Sequence, residues 1–137
     1  MKKTVRVVGA IIINQEDKVL CALRSPEMTL PNYWEFPGGK IESEESIHDA
    51  IIREIKEELY CDIEVLKLFN DYTHEYEHII VNLVTVICKL INGIPKASEH
   101  SELRWVSKND LTSLNWAPAD IPAVELLSKQ KESNFCI

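Results

Sequence analysis

Between positions 53 and 58 the chain reads Arg-Glu-Ile-Lys-Glu-Glu. Glu54, Glu57 and Glu58 stand at i, i+3 and i+4, a spacing that puts three carboxylates on one face of a helix. Like charges at that spacing repel and weaken an isolated helix, a cost that solubility does not demand. Two arrangements accommodate it. One is the solvated acidic face of an ordinary surface helix. The other is a hard-cation site, because Mg²⁺ favours carboxylate oxygen, keeps several waters and shares a phosphate with its ligands. Gly38-Gly39 upstream permits backbone geometry that other residues resist and can bring a carbonyl close to a metal, and Lys40 beside it can meet phosphate. Taken alone, the two glycines read as a tight turn.

The element that must hold these carboxylates is legible. Ile47, Ile51, Ile55 and Leu59 recur at helical spacing with Ile52 beside them, so a helix is expected to run to about Leu59 with its carboxylates turned away from that stripe. Ser43 is the expected N-cap, followed by Glu44 and Glu45 in the first turn. Upstream, 5–13 reads as a strand buried on both faces, 14–17 as a turn, and 18–24 as the returning strand of a hairpin. A short aromatic strand at 33–36 is broken by Pro37-Gly38-Gly39. Downstream, strands are expected near 63–69 and 79–90, a turn at 92–95, a short strand at 103–106, and a second amphipathic helix over 121–130. The order β, β, β, α, β, β, β, α predicts an α/β (α+β) chain, a mixed sheet with helices packed on it, in one domain spanning 1–137.

With 15 basic and 22 acidic side chains, the formal charge of −7 argues against coating a nucleic acid polymer, which needs clustered Lys and Arg. An acidic protein still binds phosphate when metal ions lie between the two sets of negative charge. Of the four cysteines, Cys21, Cys61, Cys88 and Cys136, none forms a C-x-x-C pair. Cys21 and Cys88 lie in apolar runs as small core residues, so no disulfide framework is expected. The N-terminus shows no leader-type apolar run with a cleavage site, and 5–13 is too short for a membrane helix and contains Arg6. A cytoplasmic enzyme or binding domain, with no membrane partner, is expected.

Gly39, Glu45, Arg53-Glu54, Ile55 and Glu57-Glu58 fit the pattern G-x5-E-x7-R-E-U-x-E-E-x-G-U, where U is a bulky aliphatic residue, at every charged position. The chain therefore resembles the Nudix hydrolases, most closely their MutT-like branch, over nearly its whole length. It departs at one place: the second glycine is Tyr60, followed by the small apolar Cys61. A glycine there lets a helix end on a left-handed residue, and a Tyr would be strained by roughly 1 kcal/mol. The resemblance implies a Nudix-type α/β/α sandwich with a mixed β-sheet. It also implies that Glu54, Glu57 and Glu58, with a carbonyl of Gly38 or Gly39, ligate Mg²⁺ (or Mn²⁺), while Glu45 and Arg53 support them. Arg53 would pair with a neighbouring carboxylate and fix its rotamer.

Further positions follow from the same resemblance. Arg24 falls where MutT-like proteins place a phosphate-contacting arginine, though a surface arginine reads the same. Phe36 or Trp34 would stack on a base, with core packing as the alternative, since only one face of that strand can look into a cleft. Glu99, six residues before Trp105, matches a metal-binding or general-base glutamate, with Glu102 as rival. The segment from Trp116 to Pro122 is similar to the base-recognition segment of bacterial CTP pyrophosphohydrolases and puts Asp120 at the reading position. An ionised carboxylate only accepts hydrogen bonds, which suits an exocyclic amine and disfavours the O4 of uracil or thymine. Asp120 as cap of the final helix is the competing reading.

The activity implied is release of a nucleoside monophosphate and pyrophosphate from a small-molecule nucleotide, on (d)CTP, modified cytidine or oxidised purine nucleotides. Hydrolysis of ADP-ribose or another nucleoside diphosphate derivative, or a non-catalytic nucleotide-binding module, are the alternatives. A monomer or small homo-oligomer is expected. His74-Glu75-Tyr76-Glu77-His78 also satisfies H-E-x-x-H, but that zinc pattern needs a helix, and these residues read as a strand junction.

Overall fold

A computed structural model describes residues 2–130; Cys136 lies outside them. In chain order the elements are β1 (Lys3–Ile13), β2 (Lys18–Leu23), β3 (Trp34–Glu35), β4 (Gly38–Lys40), α1 (Ile47–Leu59), β5 (Asp62–Glu75), β6 (Ile79–Asn92), β7 (Glu102–Ser107), two short 3₁₀ turns (Lys108–Ser113 and Pro118–Asp120) and α2 (Ile121–Ser128). The strands form one seven-stranded mixed sheet whose main path runs β3-β2-β1-β6-β5, with β4 on β1 and β7 on β2. β1 and β6 are parallel along eleven pairs from Lys3↔Ile79 to Ile13↔Lys89; all other pairings are antiparallel.

Strand alternation divides the core in two. Ile11 and Ile13 of β1, Val19 and Cys21 of β2 and Ile87 of β6 face one layer, which Ala123, Val124 and Leu127 of α2 cover. Val8, Ala10, Ile12, Leu20, Val86 and Cys88 face the other, covered by Ile51, Ile55 and Leu59 of α1. A sheet buried on both faces by helices gives the expected α/β/α sandwich. Cys21, Cys61 and Cys88 are buried free thiols, and burial pushes Cys21 and Cys88 up to about 12, so they behave as apolar core residues.

Several expectations change. Only the second half of β1, from Val8 on, is buried on both faces. The β1–β2 ladder has the single pair Ile13↔Val19, its turn closed by the Asn14 N–H on the Lys18 carbonyl and by the Asn14 side chain, and β2 pairs along its length with β7. Pro37-Gly38-Gly39 does not simply break the chain, because Gly38–Lys40 form β4 against Val7–Gly9. A Cβ at Gly38 would collide with the Val8 carbonyl oxygen, so this close pairing requires glycine. The N-cap of α1 is Ser46, whose hydroxyl accepts the Asp49 N–H at 3.0 Å, not Ser43; Glu44 and Glu45 precede the helix, Glu44 with φ 65°. α2 ends at Ser128, short of Gln130. Among the described residues no helix is long and apolar enough to cross a membrane.

Candidate active site

α1 leans its apolar stripe on the sheet, so its carboxylates face outward beside β4. There Arg53 acts as a hub. Its Nε donates to Glu45 Oε2 at 2.6 Å and its Nη2 to Glu45 Oε1 at 2.8 Å. Nη2 also reaches the Lys40 carbonyl at 3.1 Å. Its Nη1 reaches Glu54 at 3.0 Å and Glu57 at 3.2 Å. Glu45 Oε1 in turn accepts the Glu42 N–H. The Arg53 hydrogen bonds, then the Glu42 N–H, hold the Glu45 carboxyl down at about 2. This fork-to-fork pairing locks the loop before α1 onto the helix. Glu54 lies against β4, and a Cβ at Gly39 would strike its carboxylate, so glycine at 39 makes room for that side chain.

The three carboxylates differ in setting. Glu57 is largely in solvent, its side chain 64% exposed. Glu54 is mostly covered. Glu58 lines a cleft of about 700 Å³, and its Oε1 is buried without a hydrogen-bond partner. Burial pushes its carboxyl up to about 7; the charge of His100 opposes this, and those of Glu54, Glu35 and Glu99 add to it. A mostly buried carboxylate among further carboxylates is a position that a hard divalent cation would neutralise, so an all-carboxylate donor set fits such an ion. Among the described residues, no three such side chains already converge on one point. The expected set of Glu54, Glu57, Glu58 and Glu99 is therefore not drawn together: Arg53 takes up the first two, and Glu99 stands exposed on the 93–101 segment.

Lys40, Val7, Leu83, Phe36 and Asp120 line the same cleft as Glu58. Phe36 is on its wall, its ring 4.8 Å from that of the buried Trp116. Trp34 is not on that wall: it packs in the core with Arg104 over its ring at 4.8 Å, so the stacking role expected for it is corrected. Arg24 lines the cleft, but its guanidinium is directed to the Thr29 carbonyl at 2.5 Å, the Thr29 hydroxyl at 2.9 Å and Glu35 at 2.8 Å, which ties down the 25–32 loop.

Asp120 is buried, and its Oδ2 accepts the Phe36 N–H at 3.0 Å. Its side chain caps no helix, so the capping alternative falls. Burial, reinforced by Glu35, raises its pKa well above the usual carboxylate range. The Phe36 N–H and the charge of Arg24 oppose that rise, and in its protonated form the carboxyl can donate as well as accept. The preceding turn is tied to the β5–β6 hairpin by Tyr76, whose hydroxyl accepts the Ala119 N–H at 3.0 Å.

Two residues that sequence reasoning missed stand in the cleft. Glu35 sits between Arg24 and His100, and His100 sits between Glu35, 2.7 Å from its Nε2, and Glu58, 3.8 Å from its Nδ1. The 1-in-2 alternation beside Trp34 was the one available signal for Glu35. His74 and Glu75 lie in β5, with His78 beyond its end, so the H-E-x-x-H residues share no helix face.

The profile of the family described as NUDIX domain matches residues 3–127. The chain is 35% identical over 123 residues to the CTP pyrophosphohydrolase of Escherichia coli strain K12, covering 90% of each. It is 30% identical over 129 residues to the 8-oxo-dGTP diphosphatase of the same strain, covering 94% of this chain and 99% of that one. Its fold is similar to a solution structure described as DNA mismatch repair protein MutT, family Nudix hydrolase, from methicillin-resistant Staphylococcus aureus 252. That likeness has a TM-score of 0.78 and 50% identity over 96% of this chain and all of the other.

Proposed function

The chain belongs to the Nudix family, a hydrolase of phosphorus-containing acid anhydrides, and from that premise we propose that it is a divalent-metal-dependent nucleoside triphosphate pyrophosphohydrolase. It releases a nucleoside monophosphate and pyrophosphate, acting on (d)CTP, modified cytidine nucleotides or oxidised purine nucleotides. The observation that carries this reading is the shared cleft: Glu58 of the carboxylate helix, Lys40 and Asp120 all line it, together with the apolar Val7, Leu83 and Phe36. A cleft of about 700 Å³ with that lining suits a nucleotide whose base meets Asp120 and whose phosphate chain meets Lys40 and α1.

Glu54, Glu57, Glu58 and Glu99, with a carbonyl from Gly38 or Gly39, would hold Mg²⁺ or Mn²⁺. A bound divalent cation supplies charge neutralisation for the diphosphate and acidity for the attacking water. Arg53 fixes the rotamers of Glu54 and Glu57 through the bonds described. Lys40 meets the phosphate chain, Phe36 and the aliphatic wall exclude water around the base, and the Asp120 carboxyl reads its edge. The chain works as one domain in the cytoplasm, as a monomer or small homo-oligomer, on a small-molecule nucleotide.

The test is product release from the (d)NTPs, 5-methyl-dCTP, 8-oxo-dGTP and ADP-ribose, with and without Mg²⁺. Metal-dependent pyrophosphate from a cytidine or oxidised purine triphosphate is expected. Cleavage of ADP-ribose alone would keep the carboxylate helix and overturn the substrate; turnover unchanged by chelation would overturn the metal.

A further inference from the structure

His100 occupies an unusual position. Its side chain is only 3% exposed, yet a carboxylate stands at each ring nitrogen: Glu35 Oε2 at 2.7 Å from Nε2 and Glu58 Oε1 at 3.8 Å from Nδ1. Nδ1 and Glu58 Oε1 are both buried and both lack a hydrogen bond, and they face each other. A shift of under an ångström would join them, which would satisfy two orphaned groups at once.

The backbone delivers the ring to this place. The Lys96 N–H donates to the Leu59 carbonyl at 3.1 Å and the Ser98 hydroxyl to the Glu58 carbonyl at 2.9 Å. Carbonyls at a helix C-terminus need such partners, so the 93–101 segment is docked on the end of α1. The Ser101 N–H then closes on the Leu23 carbonyl at 2.9 Å, which fixes His100 between β2 and α1. On the far side Glu35 is itself held by Arg24 at 2.8 Å.

We propose that His100 is a positioning residue, anchored on Glu35, that holds Glu58 Oε1 through Nδ1 and leaves the other oxygen of Glu58 for the cation. The chain Arg24–Glu35–His100–Glu58 makes the 25–32 loop and β3 part of the apparatus that orients a carboxylate on α1. This rests on the reading of Glu58 as a metal ligand. Partners that orient a ligand from behind are worth about 10–100-fold in metal affinity.

The experiment measures Mn²⁺ binding to the full chain by electron paramagnetic resonance of free Mn²⁺, without nucleotide, alongside thermal unfolding. An asparagine amide stands about where Nδ1 does and a glutamine amide about where Nε2 does, so the two variants separate the sides of the ring. His100→Gln and His100→Ala are expected to weaken Mn²⁺ binding about 10-fold or more, and His100→Asn to stay within about three-fold of wild type. Mn²⁺ binding by His100→Gln equal to wild type would overturn the proposal. So would equal losses in the Asn and Gln variants that scale with lost thermal stability, the mark of a merely structural residue. Wild-type protein that binds no Mn²⁺ would remove the metal reading itself and this inference with it, a failure visible without any variant.

Discussion

Glu57 and Asp120 make opposite demands on a substitution. Glu57 is exposed and, among the described residues, pairs with Arg53, so Glu57→Gln is expected to leave the core packing untouched. It is expected to abolish most turnover with an unchanged melting temperature; near-wild-type kcat would refute its metal role. Asp120 is buried against the Phe36 N–H, and removing an acceptor from a buried donor costs about 1–3 kcal/mol. An amide in its place keeps an acceptor for the Phe36 N–H and adds a donor for a base, as the protonated carboxyl that burial stabilises would. Asp120→Asn is therefore expected to preserve the ranking of nucleotide substrates, and Asp120→Ala to change it by about 10-fold between bases, as kcat/KM across the panel would show. An unchanged ranking in the alanine variant would sink the reading role. The carboxylates of α1 and their arginine were legible in the sequence because one helix fixes their spacing. Glu35 and His100 were not: they meet across 65 residues, and no local periodicity encodes such a pairing.

At the scale of elements, the strain foreseen for Tyr60 is present. It ends α1 at φ 60°, ψ 36°, with its N–H on the Lys56 carbonyl and its ring 61% exposed. The left-handed conformation is kept where the family pattern has glycine, and the ring gains little burial in return. Tyr60→Gly is expected to stabilise the protein by about 1 kcal/mol, or roughly 3–4 °C in Tm; a fall in Tm would show that the ring makes contacts worth more than the strain. The apolar stripe made α1 legible, and its start was misplaced because two serines precede it and only the loop geometry, with Glu45 drawn back onto Arg53, selects Ser46. β5 and β6 each run fourteen residues, longer than their apolar cores indicate. The polar stretch from Asn70 to Glu75 belongs to an edge strand whose side chains largely face water, so hydrophobic patterning stops before the backbone pairing does.

For the molecule as a whole, the buried groups of the cleft set the response to pH. Glu58, Asp120 and His100 all have raised values: for His100, burial pulls down, but the hydrogen bond and charge of Glu35 and the charge of Glu58 outweigh it. Each binds its proton more tightly folded than unfolded. The stability they contribute is present in acid and is lost as pH rises through the folded value, for Glu58 from about 4.5 toward 7. The metal-free protein is expected to melt at lower temperature at pH 8 than at pH 5.5. Mg²⁺ should restore more at pH 8, where its ligands are deprotonated; a metal-free Tm that rises over this interval would contradict the assignment. The parallel pairing of β1 with β6 has a consequence of another kind. Lys3 meets Ile79 and Ile13 meets Lys89, so the central ladder cannot close on a ribosome until β6 has emerged as far as Lys89. Until then β1 lacks its partner on one edge and α1 lacks much of the surface it covers. Such long-range closure slows folding relative to chains built of local contacts, and the carboxylate helix finds its fixed seat only once β6 is available to complete the surface it covers.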